Sequence, residues 1–130
     1  MALIFYLSSL PGEQVGQVSR PIEARINAAS PVSQALKIDW LKVGHIIGYA
    51  GLGLAGYNAI HITTGAQPKM IVLCTILMCA LYAMTDEFHQ TFVAGRSGSA
   101  MDVILDTSAS VGALVVRWFF YTARRLIYNV

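Results

Sequence analysis

Charged residues are scarce in this chain. They make up 12% of its 130 residues, whereas hydrophobic residues make up 55%. Soluble domains carry roughly twice that share of charge, so the composition favours lipid over water as the natural solvent. The formal net charge is only +2, and the scattered basic residues cannot build the positive stripe that nucleic-acid binding needs. We therefore expect a membrane protein that does not bind nucleic acid.

The chain also has only two cysteines, Cys74 and Cys79. Both lie in one apolar run, five positions apart, so on a helix they point in different directions. That geometry is poor for a disulfide or for a shared metal ion. We expect both cysteines to be packing residues.

What the sequence does contain is long apolar segments. Three of them approach the roughly 20 residues that a spanning helix needs: 40–62, 70–92 and 99–123. No alternating strand pattern occurs, and helices satisfy their own backbone hydrogen bonds in lipid. The sequence therefore predicts an all-α fold, a small polytopic transmembrane helical bundle with three full spans that forms one domain over residues 1–130.

Two segments precede the first full span. The apolar run 1–10 is too short to cross about 30 Å of hydrocarbon. We expect it to be a half-span, an interfacial segment or the end of a truncated fourth span. Residues 11–39 hold three of the four prolines and are predicted to form an extramembrane loop, with a short amphipathic helix near residues 22–29.

The polar residues gather at one end of the predicted bundle. Short connections at 63–69 and 93–98 predict antiparallel neighbours. The start of the first span, the end of the second and the start of the third then share one end, which we name the motif face. Its candidate residues are Lys42, His45, Tyr49, Asp86, Glu87, Gln90, Arg96, Ser97, Ser99, Asp102 and Asp106.

Two interpretations of this polar cluster stay open. Ionisable groups inside a membrane are costly and normally face partners or water. Lys42 and Arg96 either neutralise the nearby carboxylates in a structural ion-pair network, or they belong to a functional site. Ser99 and Asp102 also have the spacing of a capping box, which would explain Asp102 as a helix-start residue.

Small residues form a further pattern on the first span. Gly44, Gly48, Gly51 and Ala55 recur at three- and four-residue spacing. Such a face lets helix backbones approach closely. It would either bring His45 within reach of the other spans or join protomers in a homo-oligomer.

Two stretches resemble the VanZ-like family. They are KVGHIIGY at residues 42–49 and TDEFHQTFVAGRSGSAMDVILD at residues 85–106. They match the family's Lys-x-x-His pattern, its Asp-Glu-x-x-Gln-x-Phe pattern, and the Gly-Arg, Ser and Asp-x-x-x-Asp that follow, with Ala94 in place of the usual proline. The resemblance implies a multi-pass protein of the bacterial cytoplasmic (inner) membrane, linked to the cell envelope and to resistance against glycopeptide antibiotics such as teicoplanin.

Three hypotheses follow for the motif face. In the first, it binds an anionic membrane lipid or lipid-linked envelope precursor, with Arg96 and Lys42 binding the phosphate. The turn at residues 95–99 supplies backbone donors. In the second, it is an enzyme site in which His45 and either Asp86 or Glu87 act as acid and base. In a variant of that site, these residues bind a divalent metal together with Asp102 and Asp106, although no tight metal-binding signature is present. In the third, the bundle is non-catalytic and acts through protein partners.

Overall fold

The computed structural model describes residues 5–6, 8–29 and 40–128. Within them the chain is helical and has no strand, which confirms the all-α prediction. The helices are α1 (Gly12–Ala29), α2 (Trp40–Thr64), α3 (Pro68–Gln90) and α4 (Ala100–Tyr128). Part of the short apolar run (1–4 and 7) and part of the predicted loop (30–39) lie outside the described residues.

Helix α1 differs from the prediction of a loop with a short helix near residues 22–29. It begins at Gly12 and continues through Pro21. Its polar composition suggested a loop, but the described side chains of α1 are exposed or half-buried, and such a helix needs few apolar residues. The Gly12 N–H donates to the carbonyl oxygen of Ala94 at 3.1 Å, so α1 starts against the turn that follows α3. A Cβ at residue 12 would lie 2.5 Å from the Gly95 oxygen, which requires glycine there.

A short connection reverses the chain between α2 and α3. Gly65 has φ +58°, a left-handed conformation that favours glycine. Gln67 is extended, and Pro68 occupies the start of α3, where a missing N–H costs nothing. These residues turn α3 back along α2.

Helices α2 and α4 both start at the motif face and lie parallel and in register. Four contacts between them pair residues about 60 positions apart in the chain. In order along the helices, the pairs are Lys42 with Asp102, His45 with Asp106, Tyr49 with Ser110, and Tyr57 with Arg117. This register sets which side chains of α2 and α4 can meet at the motif face.

Close packing of α2 uses different small residues from those predicted. A Cβ on Gly53 would lie 3.1 Å from Ser110 of α4, and a Cβ on Gly56 would lie 2.6 Å from the Met78 side chain of α3. These two glycines therefore bring α2 close to its neighbours.

The predicted small-residue face lies on the outside of the bundle instead. A Cβ on Gly44 or Gly51 would meet nothing within 4 Å, and Ala55 is exposed. Of the two roles expected for this face, packing inside the chain is not found at Gly44, Gly51 or Ala55. Glycines lie on two faces of α2, and the register with α4 selects the face of Gly53.

Polarity in the described residues is distributed opposite to that of a soluble protein. Side chains on the outer stripe of α3 are 48–67% exposed: Met70, Leu73, Leu77, Leu81, Met84 and Phe88. The buried side chains include six polar ones from α3 and α4: Thr75, Asp86, Glu87, Gln90, Asp106 and Ser110. A large exposed apolar surface around a polar interior is typical of a protein surrounded by lipid.

Two of the described helices are long and apolar enough to cross a membrane, by length and composition. They are α3 and, in α4, Ala100–Ile127. Helix α2 has 25 residues but does not meet the same test, because its sequence includes Lys42, two histidines and several glycines. Of the three predicted spans, two are therefore apolar enough to cross.

Candidate functional site

A cavity of about 150 Å³ opens where the three long helices meet at the motif face. Seven of its eight lining residues are candidates from the sequence. The lining residues are Lys42, His45, Glu87, Gln90, Arg96, Asp102, Leu105 and Asp106. The structure thus brings most of the predicted polar cluster around one cavity.

One wall of the cavity is built by an ion pair and by a histidine–carboxylate contact between α2 and α4. Lys42 Nζ lies 2.7 Å from Asp102 Oδ1, with side chains 51% and 27% exposed. One turn deeper, His45 Nδ1 lies 3.3 Å from Asp106 Oδ2, and the Asp106 side chain is almost completely buried. The first pair is therefore at the mouth of the cavity and the second is at its base.

On the opposite wall, Gln90 connects two carboxylates to Arg96. Its Nε2 donates to Asp86 Oδ2 and to Glu87 Oε1, each at 3.2 Å. Its Oε1 accepts from Arg96 Nε at 3.1 Å and from Nη2 at 3.0 Å. A neutral amide can serve both sides because it is a donor and an acceptor at once. This single side chain holds two carboxylates and a guanidinium in place.

Glu87 caps the first turn of α4. Its Oε2 accepts the backbone N–H of Ser99 at 2.8 Å. In a capping box, Asp102 would accept that same N–H, but the Asp102 carboxylate pairs with Lys42. The capping-box interpretation is therefore replaced by a cap that α3 supplies to α4.

Arg96 does not pair with a carboxylate among the described residues, which differs from the ion-pair interpretation, one of the two left open by the sequence. Among the described residues it forms no salt bridge, and its hydrogen bonds go to Gln90. Gly95 has φ +74°, and the Arg96 N–H donates to Val93. This tight turn directs Arg96 back towards the end of α3, where Gln90 is the nearest acceptor.

The other candidates lie beside the cavity rather than on its wall. Tyr49 is fully buried, and its ring lies 6.4 Å from that of His45. Asp86 is buried and accepts a hydrogen bond from Ser8 Oγ at 2.8 Å. Ser97 is exposed, and Ser99 contributes its backbone N–H.

Three residues of this region were not predicted from the sequence. Ser8 holds Asp86, Leu105 lines the cavity, and Ser110 Oγ donates to the Tyr49 carbonyl oxygen at 2.9 Å. The register of α4 offered a signal for Ser110, which follows Asp102 and Asp106 at four-residue spacing. No comparable pattern pointed to Ser8.

Four buried polar atoms have no hydrogen-bond partner among the described residues. They are Tyr49 OH, Asp86 Oδ1, His89 Nδ1 and Asp106 Oδ1. Buried polar groups are nearly always satisfied in proteins, so these atoms mark places where a partner would be bound favourably. Over the same parts of the chain, no group of three or more His, Cys, Asp or Glu side chains is arranged to hold a metal ion.

The helical fold, its apolar exterior and the polar cavity at one end indicate a membrane protein with a site at the end of a helical bundle. Comparison with known families goes further. Residues 1–122 match the VanZ/LLP1 family, and the chain belongs to it. Neither curated proteins nor solved structures gave a match.

Proposed function

We propose that this is a multi-pass protein of the bacterial cytoplasmic membrane whose cavity binds the anionic phosphate of an envelope lipid or lipid-linked precursor. The observation that carries this proposal is the position of Arg96, which lines a polar cavity without an ion-pair partner among the described residues. An unpaired guanidinium is the side chain best suited to bind phosphate.

In this proposal α2 is the third spanning helix. Its 25 residues would extend about 38 Å at the usual rise of an α-helix, enough for the hydrocarbon layer. Its polar side chains Lys42 and His45 face α4, where they are paired. The low hydropathy of α2 is therefore compatible with a helix that shares its polar face with a neighbour.

The contacts of Arg96 support phosphate binding. Nε and Nη2 are fixed by the Gln90 amide, which holds the guanidinium plane in one orientation, while Nη1 forms no hydrogen bond within the described residues. The expected backbone donors contribute less, because the N–H groups of Arg96 and Ser99 are already bonded to Val93 and Glu87. Side chains, with half-exposed Lys42 at the mouth, would carry the phosphate.

Native mass spectrometry of the purified full chain with added phospholipids tests the proposal. Arg96→Lys should weaken phospholipid retention about tenfold, because it loses a charge-assisted hydrogen bond. Arg117→Lys is the matched control, since Arg117 packs on the Tyr57 ring at the opposite end of the bundle. Equal retention by both variants would exclude the cavity as a phosphate site.

We further propose that any effect on glycopeptide resistance is indirect. The cavity volume of about 150 Å³ is below the roughly 300–1,000 Å³ of pockets that hold drug-sized ligands. An envelope lipid headgroup is therefore a better occupant than the antibiotic. Expression in a susceptible bacterium should raise the inhibitory concentration of teicoplanin, and Arg96→Lys should abolish that rise.

Acid–base catalysis on the same lipid is a second candidate function. The observation that favours it is the buried Asp106 carboxylate against His45 Nδ1, which would leave Nε2 for proton transfer in the cavity. Asp86 and Glu87 are weaker candidates because both are bonded to Gln90. Chromatography of lipids incubated with the protein and with His45→Gln would detect a product that depends on His45.

The exposed face of α2 favours a homo-oligomer as partner. Gly44 and Gly51 have open space around them, and Ala55 and the polar Asn58 are exposed on the same side. Small residues and a polar amide are the groups that join helices in lipid. In a chain without its native cysteines, Ala55→Cys should crosslink two copies, whereas Leu77→Cys on the outer stripe of α3 should not.

A further inference from the structure

The lining of the cavity has more carboxylates than lysine and arginine side chains, which constrains the occupant. Lys42 and Arg96 face three carboxylates, those of Glu87, Asp102 and Asp106. Counted without His45, the lining has a formal excess of one negative charge. A ligand that is only anionic would be repelled by this set as well as attracted.

The carboxylates of the cavity differ in how many of their oxygens already accept a hydrogen bond. Glu87 already accepts from Ser99 and Gln90. Asp106 is 1% exposed; its Oδ2 meets His45, but its Oδ1 has no partner in the described part of the chain. A buried carboxylate oxygen without a donor is unfavourable, so a ligand that brings a donor to Asp106 would be stabilised.

The geometry points to a zwitterionic headgroup, a phosphate with a primary ammonium a few atoms away, as the group that the cavity recognises. This inference rests on the proposed phosphate site. Arg96 holds the phosphate, and the ammonium donates to the carboxylates of α4, Asp106 at the base and Asp102 at the mouth. The phosphoethanolamine group of a phospholipid has this chemistry.

The apolar surface beside the cavity indicates that the headgroup belongs to a lipid. The volume of about 150 Å³ suits a small polar group such as a headgroup. Leu105 lines the cavity, and Met101 and Ile104 on the same helix are 69% and 59% exposed. Acyl chains would continue along this apolar surface of α4.

A competition between lipids with identical acyl chains tests the inference. The purified full chain is mixed with equal amounts of phosphatidylethanolamine, phosphatidylcholine and phosphatidylglycerol, and retained lipids are counted by native mass spectrometry. We expect about a tenfold preference for phosphatidylethanolamine, the value of one charge-assisted hydrogen bond. Phosphatidylcholine has the positive charge without N–H donors, and phosphatidylglycerol has hydroxyl donors without the positive charge.

Two variants test which carboxylates cause the preference for phosphatidylethanolamine. Asp106→Asn should bring the ratio of phosphatidylethanolamine to phosphatidylglycerol close to one. Asp102→Asn, at the more exposed position, should lower it in part and serves if the Asp106 variant fails to fold. Arg117→Lys should leave the ratio unchanged.

The outcomes separate this inference from the function on which it rests. If Arg96→Lys lowers the retention of all three lipids equally and the wild type shows no preference, the phosphate site stands and the zwitterionic headgroup is refuted. If retention of no phospholipid depends on Arg96, the phosphate site itself is refuted. Soluble phosphoethanolamine should displace the lipid better than glycerol phosphate, and equal displacement would also count against an ammonium contact.

Discussion

Glu87 offers the most direct test of how the site is built, because one of its oxygens joins two helices. Oε2 accepts the Ser99 N–H at 2.8 Å, and Oε1 accepts from Gln90 at 3.2 Å. A hydrogen bond to a charged group contributes about 1.5–3 kcal/mol. Glu87→Ala should therefore lower the free energy of unfolding by about 2 kcal/mol or slightly more. Glu87→Gln keeps an acceptor oxygen and should lose about half of that.

The matched control is Asp102→Ala, since Asp102 is the residue that a capping box would use. Asp102 pairs with a half-exposed lysine, and exposed ion pairs contribute about 0–1 kcal/mol. Unfolding in dodecylmaltoside micelles by added sodium dodecyl sulfate, followed by circular dichroism, gives the free energies. Hydrogen exchange at the Ser99 amide reports the bond itself. If Asp102→Ala costs as much as Glu87→Ala, α4 is capped by its own carboxylate and the assignment to α3 is wrong.

Three further substitutions test the packing around the site by the same unfolding assay. Gly98→Ala would place a Cβ 2.5 Å from the Glu87 carbonyl oxygen and should cost about 1–3 kcal/mol by overpacking. Gly112→Ala on α4, with nothing within 4 Å, is its control and should not lower stability, since alanine favours a helix over glycine by about 1 kcal/mol. Gly95→Ala at φ +74° should cost about 1–2 kcal/mol, and an unchanged value would mean that the turn adopts another conformation. Gln90→Glu would place a third carboxylate beside Asp86 and Glu87 and remove a donor from both, so we expect a loss of about 2–3 kcal/mol at neutral pH.

Much of the site followed from the sequence because helical spacing and short turns limit where residues can lie. Lys42 and His45 are one turn apart on α2, and Asp102 and Asp106 are one turn apart on α4. Parallel helices that start at the same end must bring such pairs to the same depth. The pairs at 2.7 and 3.3 Å are the consequence.

Other contacts could not be predicted from the sequence. They depend on where a side chain points and on which helix face is inside, and residue spacing does not determine either. The sequence left open whether Arg96 meets a carboxylate, and the conformation of Gly95 turns it towards the Gln90 amide. On α2, both the face of Gly51 and the face of Gly53 carry small residues at the required intervals. Only the position of Ser110 on α4 decides which face is inside, and the sequence of α2 alone contains no such information.

The pattern of partners bears on the choice between a binding site and a structural ion-pair network, which the sequence leaves open. In a network that only holds three helices together, the arginine would pair with the most buried carboxylate, since a buried charge without a partner is costly. Here Arg96 is bonded to a neutral amide, while Asp106, 1% exposed, keeps one oxygen without a donor. Both groups line the same cavity, so a ligand with a phosphate and a donor would satisfy both at once. The absence of an ion pair at Arg96 and the unpartnered oxygen of Asp106, both within the described residues, therefore favour the proposal of a site that binds a ligand.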